Sequence, residues 1–167
     1  MNTVRRRTAL LAMSRDEVPD DLRDRVERVT RPIWDPCWAG RLGTRSDVEI
    51  LVTAHPETDL TAAQLDSLPG LREILTTSTA VDYIDRAWCE RRGVRLHNTP
   101  DYTGSSVAEH AIALMLGVVR HLPRLDAAAR SGAATGGLVA RELSGQVAGV
   151  VGFGGIGTRV GAIARGL

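Results

Sequence analysis

Three glycines late in the chain have the spacing to cradle a phosphate. Gly152, Gly154 and Gly157 stand in GFGGIG, a G-x-G-x-x-G pattern. The small apolar run VAGVV precedes it, and a helical pattern follows at residues 158–164. Strand, glycine turn and helix in that order form the context in which this pattern holds a dinucleotide. Gly152 supplies the backbone angles of a sharp turn. Gly154, without a side chain, lets the backbone approach a pyrophosphate, and Gly157 lets the helix pack hard on the strand. N–H groups around Gly155 and Ile156 then meet the phosphates at a helix N-terminus, where the helix dipole favours negative charge. Out of that context the same residues are a glycine-rich loop in an alanine-rich chain.

Positioning such a turn takes a parallel sheet. Residues 8–13 (TALLAM), 48–53 (VEILVT), 71–77 (LREILTT) and 94–97 (VRLH) read as strands, and 147–151 as the strand before the glycine turn. Helices are predicted over 20–29, after Pro19, and over 62–68, capped by Asp59 or Thr61 and broken by Pro69. A third spans 84–92, stopped by Gly93, and a long apolar one spans 104–122. Pro123 kinks or ends that helix, and 126–130 continue as another. Residues 30–43, with Pro32, Pro36, Trp34 and Trp38, read as an irregular stretch. Its tryptophans pack a loop onto the core or offer a ligand a stacking surface. Strands alternating with helices imply an α/β fold with a parallel sheet covered on both faces. Ligands in such sheets sit beyond the C-terminal strand ends, where loops 78–82 and 98–104 fall.

Composition narrows the classes further. With 21 basic and 20 acidic residues the net charge is +1, which argues against a nucleic-acid or membrane partner. The Arg5-Arg6-Arg7 cluster reads as a solvated tail. The apolar run 9–13 is too short for a signal peptide, and Ser14-Arg15-Asp16-Glu17 closes it. Cys37 and Cys89 have no C-x-x-C partner, so reduced thiols and a cytoplasmic location are expected. His55, His97 and His121 lack metal-ligand spacing.

Three segments together resemble one family. TTSTAVDYID at 76–85, GVRLHNTPDYTGSSVAEHAIALML at 93–116 and ELSGQVAGVVGFGGIG at 142–157 have the order and spacing of the D-isomer-specific 2-hydroxyacid dehydrogenases. That resemblance implies a flavodoxin/Rossmann-like substrate domain over 1–99, then the truncated start of a Rossmann NAD-binding domain over 100–167. It implies that Ser78, Thr79, Ala80 and Val81 offer backbone N–H groups to a substrate carboxylate, as donors at a strand end can. Residues 103–107 border the nicotinamide in the family, so Ser106 joins Gly152, Gly154, Gly155, Ile156 and Gly157 as a cofactor-binding residue. Ser105 and Ser106 are also good helix N-caps. Glu109 and His110 match the family's AEH segment, but adjacent helix residues do not face one another, which makes them structural. Ala80 and Asp101 stand where the family generally has Gly, and the tryptophan usual after residues 130–132 is missing.

The cofactor implied is NAD, with NADP open, because the ribose-reading acidic residue falls about 20 residues past the glycines. The family's catalytic Arg, supporting Glu and acid/base His lie downstream of the glycine loop and match no residue here. The expectation is thus an oxidoreductase of the CH–OH group of a small 2-hydroxy acid, represented by its N-terminal part. By itself the chain is expected to be inactive as a dehydrogenase, and a homodimer is expected through the 104–122 helix in the full-length protein. The alternatives are a non-catalytic small-carboxylate-binding module and an inactive truncated product.

Overall fold

A computed structural model describes residues 5–38, 43–54 and 59–167. The chain divides into two compact units, Met1–Pro100 and Asp101–Leu167.

Five parallel strands build the first unit: β1 Arg7–Ala12, β2 Thr30–Trp34, β3 Val48–Thr53, β4 Glu73–Thr76 and β5 Arg95–His97. Their order is β2-β1-β3-β4-β5, the flavodoxin-like doubly wound arrangement. Strand β1 lies inside the sheet with helices on both faces, so its residues Thr8 to Leu11 form an unbroken buried run rather than an alternation. One face is packed by Leu10, Val48, Leu51 and Ile74 against Leu65 of α2 (Ala62–Leu65) and Trp88 and Cys89 of α3 (Arg86–Arg92). The other face packs Ala9, Leu11 and Ile50 against Val26 of α1 (Asp20–Val29). Leu10, Leu51, Leu65 and Leu68 are fully buried. Each such side chain contributes about 1.5–3 kcal/mol by leaving water.

Helix ends follow their local chemistry. Asp85 caps α3 by accepting from the Trp88 N–H at 2.8 Å, and Gly93 ends it in the left-handed conformation at φ 66°. One expectation for this unit needs correcting. The stretch from Thr30 to Trp34 is a strand, not an irregular loop. It pairs with β1 alone, and a sheet edge tolerates the N–H that Pro32 lacks. Trp38 alone of its two tryptophans is fully packed into the core.

The second unit holds α4 Gly104–Val119, α5 Leu122–Ser131 and α6 Gly155–Ala164. The expected single helix over 104–122 breaks at His121, which adopts φ 55° and caps α5, with Pro123 in the first turn of the new helix. Ala108 and Ile112 of α4 are buried, while Leu114 and Val118 are exposed. The expected strand at 147–151 is absent. No other strand lies beside it among the described residues, so its backbone has no ladder to join, and Val147 and Val151 are fully exposed. No described helix is long and apolar enough to cross a membrane.

Candidate functional site

The loop after β4 is built on a floor of buried hydroxyls. Thr76, the last residue of β4, and Tyr83 are both buried. The Thr76 hydroxyl lies 2.5 Å from the Tyr83 hydroxyl, which donates to the Ala54 carbonyl at the end of β3 at 3.2 Å. Thr76 Oγ1 also accepts from the Ser78 N–H at 3.1 Å. This chain of hydroxyls ties the loop to the sheet at two strand ends.

Within the loop all four carbonyls are spent, and of the amides only that of Ser78 is, which corrects the expectation that Ser78 offers its N–H to an anion. The Ser78 carbonyl accepts from the Thr99 N–H at 3.2 Å, and the Thr79 carbonyl from Asn98 Nδ2 at 2.8 Å. The Ala80 carbonyl accepts from the Ser78 hydroxyl at 2.6 Å, and the Val81 carbonyl from the Ile84 N–H at 3.1 Å. By contrast, the N–H groups of Thr79, Ala80 and Val81 meet no protein acceptor among the described residues. Thr79 and Ala80 are exposed, and Ser78 and Val81 half-buried. Three successive unpaired donors with their carbonyls turned to other duties suit an anion. Ala80 does not need a glycine here, because its φ is not positive.

Beside the loop, Val81 and Asn98 line a pocket of about 290 Å³ with Arg86, Cys89, Glu90, Val94 and Leu96. Burial pushes the Cys89 thiol above its usual range, with Asp85 adding to the effect, so it is no thiolate nucleophile.

In the second unit the three glycines have three different surroundings. Gly152 turns at φ 88°, a conformation that side chains resist. A Cβ at Gly157 would overlap the Gly152 carbonyl, so helix and turn touch there. Around Gly154 nothing lies within 4 Å of an added Cβ, so no internal packing demands a glycine and the space beside the backbone is open. Gly154 caps α6, leaving the first N–H groups of that helix, at Gly155, Ile156 and Gly157, without intrahelical acceptors. Open room and free donors at a helix N-terminus fit a pyrophosphate. Ser105 and Ser106 are exposed residues of the first turn of α4. Its N-cap is Thr103, not either serine, and no side chain caps it.

Comparison with known proteins decides the family. The catalytic domain of the D-isomer specific 2-hydroxyacid dehydrogenases matches residues 41–159. The chain belongs to that family. It is 37% identical over 99 residues to a glyoxylate/hydroxypyruvate reductase of Arabidopsis thaliana, covering 58% of this chain and 31% of that protein. Among solved structures, D-lactate dehydrogenase from Aquifex aeolicus, complexed with NAD and lactic acid, matches with a TM-score of 0.82 at 24% identity. That match covers 95% of this chain and 48% of the other. An NADPH-dependent glyoxylate/hydroxypyruvate reductase from Sinorhizobium meliloti, in complex with NADP and malonate, matches with a TM-score of 0.76 at 22% identity, covering 97% and 51%. These two likenesses concern the fold. The chain thus spans about a third of the length of the curated relative and about half of the solved neighbours.

The other flagged residues lie elsewhere on the fold or outside the described residues. Glu109 and His110 are both exposed on α4. His97 lies 3.5 Å from Glu73, whose carboxylate also binds Arg7 at 2.5 Å and Arg95 at 2.6 Å. Arg7, Glu73 and Arg95 begin β1, β4 and β5, so their ion pairs sit at the N-terminal ends of the strands, away from the loop that follows β4. His55 lies outside the described residues. Sequence reading missed Thr76, Tyr83 and Asn98 as supports of the loop. The T-x-S spacing of Thr76 and Ser78 was the available signal.

Proposed function

We propose that this chain carries the carboxylate-binding loop and the cofactor-phosphate turn of an NAD- or NADP-dependent oxidoreductase acting on the CH–OH group of a small 2-hydroxy acid. In the loop Ser78 to Val81, the backbone N–H groups of Thr79, Ala80 and Val81 hold the substrate carboxylate, while Ser78 anchors the loop through its N–H on Thr76. The cofactor pyrophosphate lies on Gly152, Gly154, Gly155, Ile156 and Gly157, with Ser106 beside the nicotinamide. The cofactor, when bound, supplies the hydride chemistry. These residues bind and orient, and the family's proton-transfer groups match none of them. On this reading the first unit is the substrate domain, and the second is the start of the cofactor domain. The exposed Leu114 and Val118 of α4 would be covered by a second copy of the chain.

One observation carries the reading: the loop's four carbonyls are all engaged while the N–H groups of Thr79, Ala80 and Val81 are left for an external anion. The named relative and neighbours support it: the relative is a glyoxylate/hydroxypyruvate reductase, and the two solved neighbours hold NAD with lactic acid and NADP with malonate. A second reading, a carboxylate-binding module without turnover, is favoured by the loop and its anchors all lying in the first unit. Calorimetric titration with glyoxylate tests the shared core. Wild type is expected to bind saturably, and Ala80→Pro, which deletes the central donor, to bind about tenfold more weakly. Equal binding by a folded Ala80→Pro variant would contradict the assignment. Glyoxylate binding without NADH binding would favour the second reading.

A further inference from the structure

The glycine turn has a charged neighbour that a phosphate-binding site does not call for. Asp101, held at φ 63°, brings its carboxylate against the start of α6, where a Cβ added at Gly155 would lie 2.9 Å from Asp101 Oδ1. Arg159, one turn further along α6, donates through Nη1 to that carboxylate at 3.2 Å and to the Gly155 carbonyl at 3.1 Å. The guanidinium fits because Gly104, at the start of α4, has no side chain; a Cβ there would overlap it. Asp101, Gly104, Gly155 and Arg159 thus form one cluster at the mouth of the turn. Arg159 is already paired with an anion beside the turn to which a second anion would come.

We propose that Asp101 is a charge gate on this turn: it sets cofactor affinity by opposing the pyrophosphate and by occupying Arg159, the cation that a bound phosphate takes over. The inference rests on the glycine turn being the cofactor-phosphate site. Both side chains reach solvent, with 70% of Asp101 and 37% of Arg159 exposed, so the opposition is electrostatic and salt screens it. Asparagine keeps the shape of Asp101 and tolerates a positive φ, so Asp101→Asn removes the charge while sparing the backbone. Asp101→Gly does the same with no side chain at all, and serves if the first variant folds poorly.

The test is NADH binding by the 167-residue chain, followed by the fluorescence of NADH itself. Wild type and Asp101→Asn are compared at about 0.01 M and about 1 M ionic strength, where the screening length falls from about 30 to about 3 Å. At low salt the variant is expected to bind about fivefold more tightly, with the ratio falling towards one at high salt. Adding Arg159→Gln to Asp101→Asn should abolish the gain. If wild type binds and both Asp101 variants bind no more tightly at low salt, the gate is overturned while the glycine-turn reading stands. If neither wild type nor variant binds NADH, both fall together. A gain that persists unchanged at high salt would also overturn the gate, because a purely steric or structural effect would not be screened.

Discussion

At the scale of single residues, the groups proposed to bind are distinct from the groups that staple the fold. Glu73 is a staple. Hydrogen bonds from Arg7 and Arg95 and their charges hold its carboxyl at about 2, well below the ordinary 4.5. A carboxyl whose folded value is depressed contributes stability that is present above its unfolded value and lost as the pH falls through the folded one. Unfolding followed across that range should therefore show wild type losing stability between about pH 4.5 and pH 2, and Glu73→Gln losing less there. A variant with the same acid limb as wild type would remove Glu73 from the account. The candidate binding residues were legible in the sequence because glycine spacing and strand-end position are local properties. Their supports were not. Nothing local says that the Tyr83 hydroxyl reaches Ala54 or that Asn98 reaches Thr79, 29 and 19 residues away. Nor does it place Asp101 beside Arg159, 58 residues on.

Elements were legible wherever one pattern dominated. α1 and β3 have the predicted bounds, since a 3.6-residue period and a short run rich in β-branched residues each leave few alternatives. β2 was missed because Pro32 within it and Pro36 just after it outweighed its pairing, which depends on β1 lying alongside. The segment at 147–151 failed in the opposite sense, having strand propensity and no partner. The turn that follows it gives the sharpest contrast between folding and binding. Gly157→Ala should force helix and turn apart, destabilising the second unit by about 1–3 kcal/mol in chemical denaturation. Gly154→Ala meets open space and should cost about 1 kcal/mol or less, yet weaken NADH binding at least as much as Gly157→Ala does. Equal effects of the two on stability would contradict the distinct roles assigned to them.

For the whole molecule, stability is unevenly shared. Leu10, Leu51, Leu60, Leu65, Leu68 and Ile74, the large side chains at the bottom of the exposure range, all belong to the first unit. In the second unit the buried apolar side chains among the described residues are Ala108 and Ile112. Hydrogen exchange read by mass spectrometry should find β1, β3 and β4 protected and residues 138–154 exchanging fast, because local opening follows buried apolar contact. Uniform protection of both units would contradict this. Family and fold class were open to sequence reading because three motifs spread over the chain constrain one another. The central claim is that each unit presents its own anion site, a carboxylate loop in the first and a phosphate turn in the second. Amide proton–nitrogen NMR of the 167-residue chain, titrated separately with glyoxylate and with NADH, tests it most directly. The account predicts saturable shifts of Thr79, Ala80 and Val81 with glyoxylate, and of Gly154, Gly155, Ile156 and Gly157 with NADH. Shifts that never saturate, or one set of resonances answering to both ligands, would contradict it.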